Sequence, residues 1–366
     1  MSDHDTVEGL AGEQYPCDGC GAQLAFAPGQ TALVCPYCGH RQEIASSGLQ
    51  PIQEHDYFAK VEHTIDARAL VPKGAEVRCQ GCGAISVVEG HADRCAFCDA
   101  PVVVEPRPDA VVPPESLLPF GVSELHARRA FRAWLKTLWF APSDLGKRAR
   151  GSGMDGVYLP YWTYDAETVS AYRGQRGTHY YVTESYTDSK GQRRTRRVQR
   201  TSWAPAAGVV KRFFDDVLIC ASNKLPRKMI RGLEPWDLEA LVPFDGRFLS
   251  GFVAMRYDVE LRAGFILAQE RMRPQIEAAV RADIGGDVQR IDRLDVRHPA
   301  VHFKHFLLPV WISSFRYGQK VFRVVVNART GEVAGERPWS VWKITLAVLA
   351  GLVVLGCAVW LYLEVS

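Results

Sequence analysis

The sequence predicts an α+β fold, with two small cysteine-rich units at its N-terminal end and one transmembrane helix at its C-terminal end. Three observations predict it. Eight of the ten cysteines form four Cys-x-x-Cys pairs within the first hundred residues. Aromatic, strand-like runs and amphipathic helices then follow without regular alternation, which is typical of an α+β domain with an antiparallel sheet. A long uncharged apolar run lies at the end of the chain.

Length and charge restrict the class of protein. With 366 residues and 47% hydrophobic residues, the chain suits several folded units and not a multi-span transporter. The net charge of +3 conceals an asymmetry, because residues 1–110 hold 7 Lys and Arg against 16 Asp and Glu. The remainder holds 37 basic against 25 acidic residues. The polar, acidic start, Met1–Asp5, predicts that no signal peptide is present.

The chain divides into units at changes of composition. The predicted units are a first ribbon (1–48), a helical connector (49–75), a second ribbon (76–104), a proline-rich linker (105–119), an α+β domain (120–338) and a transmembrane helix (342–363). The four-cysteine pattern that begins at Cys17 returns at Cys79, 62 residues later. This offset indicates an internal duplication of one small unit.

Two helices and several strands are predicted within the α+β domain. Ser123 can cap a helix whose apolar residues keep the spacing of one buried stripe as far as Leu138. A second helix is predicted over Val259–Asp283. The predicted strands are Val157–Tyr164, His179–Thr187, Val217–Ala221, Phe306–Tyr317 and Lys320–Asn327. A Leu-Pro-x-Trp motif occurs in two of them, at Leu159–Trp162 and Leu308–Trp311, and suggests a second duplication.

The paired cysteines predict two metal sites in rubredoxin-like zinc ribbons. The predicted ligands are Cys17, Cys20, Cys35 and Cys38 in the first ribbon, and Cys79, Cys82, Cys95 and Cys98 in the second. Two residues between thiolates let one tight turn present both sulfurs to a single ion. Segments this small bury too little apolar surface to fold alone, and a structural zinc ion supplies roughly 10–16 kcal/mol. With sulfur at all four positions, we expect two structural zinc ions.

Redox dithiols, iron–sulfur clusters and disulfides are the alternatives to zinc. A redox Cys-x-x-Cys works as one pair at a helix start, whereas here two pairs bracket a short hairpin. Thiols kept reduced for a metal indicate the cytosol. His40, beside the first site, is expected at the surface, and Cys220 is expected to be a buried packing residue.

The apolar run Ile344–Leu363 has twenty residues, no charge and two hydroxyl groups, those of Thr345 and Tyr362. At 1.5 Å per residue it spans roughly 30 Å, the hydrocarbon thickness of a bilayer. Arg329, Arg337 and Lys343 precede it, whereas only an acidic residue follows, so we expect the bulk of the chain to face the cytoplasm. The alternative is a buried core helix, which would carry polar positions on one side.

A basic hairpin is predicted from strand His179–Thr187, a turn, and strand Arg193–Trp203. Between Tyr172 and Arg200 lie eight basic residues against two acidic ones. The arginines predicted to bind an anionic surface are Arg193, Arg194, Arg196, Arg197 and Arg200. Because strand side chains alternate, these charges occupy both faces. Three interpretations stay open: a solvated edge, a contact with anionic lipid headgroups, and a contact with nucleic acid.

The ribbons, the Leu308–Trp311 strand and the closing run Val326–Pro338 before a terminal membrane helix resemble a bacterial family of zinc-ribbon membrane proteins. Its members are labelled as transcription-factor-IIB-type zinc-ribbon proteins or as relatives of the primosomal helicase N-prime. The resemblance implies no settled activity. It implies a place in membrane-stress gene neighbourhoods beside phage-shock-like and SPFH-domain proteins, for which these proteins look like membrane docking sites.

Enzyme motifs are absent from the sequence. It contains no phosphate loop, no His-Glu-x-x-His and no Gly-x-Ser-x-Gly, and its Gly-x-Gly-x-x-Gly run, Gly151–Gly156, precedes a predicted strand and not the helix that a dinucleotide fingerprint requires, so we expect no enzyme. The leading hypothesis is a single-pass adaptor or scaffold that docks a cytoplasmic protein at the bacterial inner membrane. The first rival is a membrane-tethered nucleic-acid binder, which would have to use the hairpin because the ribbon region is acidic. The second rival is an enzyme with an unrecognised site.

Overall fold

The computed structural model describes residues 15–44, 52–63, 75–79, 85–88, 95, 97, 102–104, 112–149, 153–187, 189 and 191–365. The helices in these ranges are α1 (Tyr57–His63), α2 (Glu124–Thr137), α3 (Leu145–Arg148), α4 (Arg227–Arg231), α5 (Leu261–Ile284) and α6 (Val341–Val365). The strands are β1 (Ala25–Phe26), β2 (Ala32–Val34), β3 (Arg41–Glu43), β4 (His55–Asp56), β5 (Ala75–Cys79), β6 (Ile85–Val88), β7 (Val102–Val104), β8 (Ser116–Leu117), β9 (Asp155–Thr187), β10 (Arg193–Cys220), β11 (Val242–Pro243), β12 (Val253–Met255), β13 (Val288–Arg297), β14 (Val301–Tyr317), β15 (Lys320–Asn327) and β16 (Val333–Gly335).

Two sheets organise the described residues. Strands β1, β2 and β3 form a small sheet, and the other thirteen strands join one large sheet. The large sheet follows the order β11-β8-β14-β9-β12-β6-β5-β7, with β10 and β13 on β9, β15 on β14, β16 on β15 and β4 on β14. Its pairs are antiparallel except β8 with β14 and β12 with β9. The mixed α/β fold with antiparallel pairing is therefore confirmed, and the two parallel pairs were not expected.

The two strands predicted at 157–164 and 179–187 belong to one long strand, β9. Gly174 and Gly177 lie inside this strand, between the two predicted segments. A Cβ atom on Gly174 would meet the carbonyl oxygen of Arg290 at 2.2 Å, and one on Gly177 would meet Val288 at 2.4 Å. These glycines let β13 approach β9 closely, which is a known use of glycine within strands.

The two Leu-Pro-x-Trp motifs lie side by side at the centre of the sheet. Leu159 of β9 is directly opposite Leu308 of β14 in the antiparallel register. The carbonyl of Pro160 accepts a hydrogen bond from the backbone of Ala221, at 2.8 Å, after the chain returns through β10. The carbonyl of Pro309 accepts the matching bond at 3.1 Å after the return through β15. Each motif therefore begins the same strand-and-return arrangement.

The matching extends to the segments that precede the two long helices. Val122 and Val259 come just before α2 and α5, and each follows a short strand that pairs in parallel with the other copy's motif strand. Trp311 donates to the carbonyl of Val122 and Trp162 to that of Val259. These reciprocal contacts are those expected of two interlocked copies, and they support the suggested second duplication.

The copies differ most in the length of their hairpins. The β14–β15 hairpin is short, whereas β9 alone has 33 residues and spans roughly 105 Å at about 3.3 Å per residue. Helix α5 supports it, because Tyr164 and Tyr172 of β9 donate hydrogen bonds to Leu261 and Asp283 of α5. We call residues 178–187 and 193–202 the hairpin arm, since β13 stops at Gly177 and the paired strands continue beyond it.

The ribbon regions are joined to the α+β domain. The N–H of Phe26 donates to the carbonyl of Ser250 at 3.0 Å, and the Ser250 hydroxyl donates to Leu24 at 2.6 Å. In the second ribbon region, β6 pairs with β12 of the large sheet. Strand β8 falls within the predicted linker, 105–119, which therefore ends inside the sheet. Buried residues of the first predicted ribbon, among them Leu24 and Phe26, belong to one hydrophobic cluster with residues of the α+β domain.

Candidate functional site

Four cysteine sulfurs converge in the first ribbon. The Sγ atoms of Cys17 and Cys38 are 3.5 Å apart, as are those of Cys20 and Cys35, and all four lie within 4.8 Å of one another. Tetrahedral ligands at a metal–sulfur distance of about 2.3 Å would be separated by roughly 3.8 Å. A disulfide would require about 2.05 Å. The group could therefore hold one metal ion, and it contains no disulfide.

Two glycines shape the turns that carry these sulfurs. Gly21 and Gly39 each follow the second cysteine of a pair, and both have φ of +72°. Their N–H groups donate to the carbonyls of Cys17 and Cys35 at 2.8 and 3.0 Å and close the turns. A residue with a Cβ atom would be strained at this positive φ. The glycines that the sequence placed after each pair therefore fix the sulfur geometry.

The sulfur environment favours the thiolate at Cys35, whereas the neighbouring thiols raise the pKa values of Cys20 and Cys38. The N–H of Cys38 donates to the Sγ of Cys35 at 3.5 Å, and this bond lowers the pKa of the Cys35 thiol to about 6. Cys17 and Cys35 are buried, whereas Cys20 and Cys38 are exposed. One side of the cage thus rests on the core of the protein while the other faces solvent.

The second predicted ligand set is only partly within the described residues. Cys79 and Cys95 are both buried, whereas Cys82 and Cys98 lie outside the described residues. The second metal site therefore stays a prediction. His40 is exposed and does not belong to the four-sulfur group, in agreement with the expected surface position.

An acidic cluster, not expected from sequence, joins Asp165, Asp215 and Asp216. The ammonium group of Lys304 lies 3.1 Å from Asp216 and 3.6 Å from Asp165, and it also reaches Glu54 at 3.1 Å. The positive charge of Lys304 therefore balances the negative charge of Asp165 and Asp216. The cluster ties β9, β10 and β14 together and gives no support for a second kind of metal site.

The arginines predicted to bind an anionic surface lie on the hairpin arm, and all five are exposed. Arg196 and Arg200 face Glu184 across the hairpin, at 3.4 and 2.5 Å. The guanidinium of Arg197 lies over the ring of Tyr181, 4.2 Å from its centre, on the opposite face. The predicted placement of charge on both faces is confirmed, while the partner of these charges is untested.

Exposed aromatic side chains, which were not predicted as site residues, lie on β9 across from these arginines of β10. On the arm itself, Tyr180 and Tyr181 are 45% and 54% exposed, and Tyr186 is 41% exposed. Trp203, at the base of the arm, is 43% exposed. The sequence could have predicted these exposed aromatic residues. Side chains on an isolated two-stranded hairpin have no core to pack into, so any aromatic residues counted on its strands are expected to be exposed.

The hairpin arm and the start of α6 lie near opposite ends of strand β9. Tyr317, at the end of β14, donates to Asp144 at 2.8 Å, and Asp155 at the start of β9 pairs with Ile312 of β14. The arm occupies the opposite end of β9. A contact between the arginines and lipid headgroups therefore requires β9 to lie along the membrane surface.

Helix α6 is long and apolar enough to cross a membrane. The most apolar 18-residue window within Val341–Glu364 has a mean hydropathy of 2.5, and none of that window is buried. A core helix of a soluble protein would be covered by other elements. Ala347 and Gly351, which have the spacing of a helix-pairing motif, lie on this uncovered helix.

Cys220 packs against the hydrophobic cluster around Tyr161, as predicted, but it is only partly buried. Burial of the Cys220 thiol raises its pKa to about 12, which keeps it protonated at neutral pH. A nucleophilic cysteine needs a lowered pKa. Cys220 therefore serves in packing, beside Tyr161.

The chain is similar in sequence to a bacterial protein. No protein-family model matches the chain, and no solved structure matches it. The chain is 25% identical over 336 residues to the uncharacterized protein YdjG of Bacillus subtilis (strain 168), and the match covers 90% of this chain and 91% of YdjG. Because so long a match cannot come from the cysteine-rich units alone, the chain is similar to YdjG across the α+β domain as well.

Proposed function

We propose that the chain is a non-enzymatic adaptor that holds a cytoplasmic protein at the bacterial inner membrane. Helix α6 anchors it, metal-bound ribbons brace the α+β domain, and the hairpin arm captures the partner. The observation that carries the proposal is the arm itself, where exposed tyrosines on β9 lie across from exposed arginines on the paired strand β10.

The composition of the arm supports a protein partner. Tyrosine, tryptophan and arginine supply most of the binding energy at protein interfaces. The stacking of Arg197 on Tyr181 and the pairing of Arg200 with Glu184 already hold these side chains in place. Ordering them on binding therefore costs little conformational entropy. The excess of positive charge favours a partner with an acidic surface.

The backbone of the arm offers a second mode of attachment. Within the described residues, β10 pairs with β9 and with no strand on its other side. An unpaired strand edge presents N–H and C=O groups that a strand of another protein can extend. The resemblance to zinc-ribbon membrane proteins points to SPFH-domain or phage-shock-like proteins as the class of partner.

Zinc is the metal we propose for the ribbons, with two ions per chain. Four thiolates on two glycine-supported turns form the donor set of a closed structural zinc site, which leaves no position for substrate. The first ribbon rests on the loop that contains Ser250. Its ion would therefore stabilise the surface of the domain and perform no chemistry.

The proposed orientation follows from charge. Arg329, Arg337 and Lys343 lie on the N-terminal side of α6, and basic flanks stay in the cytoplasm. The ribbons, the α+β domain and the arm would then all face the cytoplasm.

Site-specific crosslinking in cells tests this proposal. A photoreactive residue replaces Tyr181 on the arm in one variant and Tyr37 in another, because Tyr37 is 83% exposed at the tip of a metal-binding turn. We expect Tyr181 to crosslink to a cytoplasmic protein that leaves the membrane fraction when the chain is deleted. Crosslinking at Tyr37 alone would assign docking to the ribbon instead.

Charge variants provide the matched comparison. Replacing Arg193 and Arg197 with Gln should abolish the adduct at Tyr181. Replacing Arg316 and Lys320 with Gln removes the same charge from the equivalent hairpin of the second copy, and should leave the adduct intact. An adduct that nuclease removes would contradict the adaptor proposal and support nucleic-acid binding.

A further inference from the structure

The turn between α2 and α3 is fixed against the start of α6. The N–H of Ser340 donates to the carbonyl of Phe140 at 2.8 Å. The ammonium group of Lys343 donates to the carbonyls of Ala141 and Trp139, at 2.8 and 3.3 Å. Because α6 enters the membrane from this point, the turn is held at the level of the bilayer surface.

Large aromatic side chains are exposed at the same level. Trp139 is 82% exposed on the turn, and Trp342 is 75% exposed at the first turn of α6. Trp339 and Phe140 are 54% and 40% exposed. Tryptophan is enriched where membrane meets water, because its ring is apolar and its N–H is polar. The turn thus continues the aromatic belt of α6 onto the folded domain.

A cavity of about 600 Å³ opens between α2, α3 and the start of α6. Its floor is apolar, and its rim is basic. The floor is formed by Leu135, Leu138, Ala141 and Leu145, and the rim by Arg132, Lys136 and Lys343. The volume falls within the range of about 300–1,000 Å³ that is usual for small-ligand sites.

The rim cations lack the carboxylate partners that neighbouring arginines have. Arg128 pairs with Glu124 at 2.6 Å, and Arg148 pairs with Asp144 at 2.7 Å. Among the described residues, no carboxylate lies within ion-pair distance of the three rim cations. Two of these, Arg132 and Lys136, are one helical turn apart and share a face of α2. The rim therefore presents uncompensated positive charge.

We propose that this cavity binds the headgroup of an anionic phospholipid. The rim cations would contact the phosphate, the leucines of the floor would receive the glycerol and the first methylenes, and Trp139 would lie beside the acyl chains. A lipid fits better than a free anion, because the cavity opens where α6 meets the bilayer and because its floor is apolar. Basic pockets at the cytoplasmic ends of membrane helices bind anionic headgroups by the same charge pairing.

Lipid association with the full-length chain in reconstituted vesicles tests this inference. The probes are spin-labelled phosphatidylglycerol and spin-labelled phosphatidylcholine, and the measurement is the fraction of each that the protein immobilises. We expect the chain to prefer phosphatidylglycerol. Each of Arg132→Gln and Lys136→Gln should lower that preference by about fivefold, since one cation near the surface is worth about 1 kcal/mol.

Two controls separate this site from general charge attraction. Arg129→Gln removes an exposed charge from the same helix outside the cavity, and should leave the preference unchanged. Lys136→Arg keeps the charge and should retain it. Equal immobilisation of both lipids, or an equal loss in the Arg129 control, would overturn the proposal. Displacement of the labelled lipid by millimolar inorganic phosphate would also overturn it, because the site would then recognise a free anion.

Discussion

Trp162 and Trp311 donate their indole N–H groups to the carbonyls of Val259 and Val122, each at 2.8 Å. Each tryptophan belongs to one copy of the duplicated unit, and each carbonyl precedes the helix of the other copy. Tyr257 and Phe120 complete the match, because their rings pack against Trp162 and Trp311 at 5.0 and 5.1 Å. The copies are therefore joined by two equivalent bonds, and neither copy has a complete core alone.

Removing either indole N–H should destabilise the domain to a similar degree. Trp162→Phe and Trp311→Phe each leave a buried carbonyl without its donor, at a cost of about 1–3 kcal/mol. Thermal unfolding of the full chain in mild detergent measures the effect. Trp139→Phe, at an exposed position, is the control and should leave Tm unchanged. A loss confined to one of the two buried sites would contradict the equivalence of the copies.

The purified chain should contain two zinc ions, measured by mass spectrometry of the metal content. Replacing Cys17 and Cys20 with Ser should lower the count to one. Because Phe26 of the first ribbon packs against Phe248, we expect this variant to lose stability in the α+β domain as well. A single ion in the unmodified chain, or iron, would contradict the two-site prediction.

His305 should make stability depend on pH below neutrality. Burial lowers the pKa of His305 to about 4, from 6.5 in an exposed histidine, and its ring contacts the carbonyl of Val112 at 2.8 Å. As pH falls below 6.5, the unfolded chain binds a proton that the folded chain does not. The free energy of unfolding should therefore be unaffected by this group above pH 6.5. It should fall by about 3 kcal/mol as the pH decreases from 6.5 to 4.

The unfolding free energy of the full chain between pH 7.5 and pH 4 measures this effect. His305→Gln should flatten the dependence over that interval, whatever its effect at pH 7.5. His126→Gln removes an exposed histidine and should keep the dependence of the unmodified chain. An identical slope in the His305 variant would show that other groups cause the loss.

Truncation after Pro338 should move the chain from the membrane fraction to the soluble fraction. The aromatic turn that contains Trp139 remains, but a few interfacial side chains give only weak and reversible binding compared with a membrane helix. Fractionation with a high-salt wash is the measurement. A truncated chain that still sediments with membranes after the wash would reveal a second anchor.

Local spacing was sufficient to predict the metal ligands of the first ribbon and the apolar helix, because each is encoded within a few turns of chain. The contact of Phe26 with Ser250 joins residues more than two hundred positions apart, so it could not be predicted from a local sequence pattern. The same holds for the contact of Ala141 with Lys343, which closes the basic cavity. The full length of β9 was missed because Gly174 has the same composition signal as a turn.

The continuity of β9 has a mechanical consequence. One unbroken strand runs from the end of the domain near the α2–α3 turn to the tip of the arm, and β14 pairs with it from Asp155 to Ala166. A pull on the tip along the strand would load the hydrogen bonds of that ladder together, in shear, instead of opening them one at a time. If a protein bound at the arm pulled against the membrane anchor, the force would act along β9. A sheet resists rupture best when it is pulled in this direction.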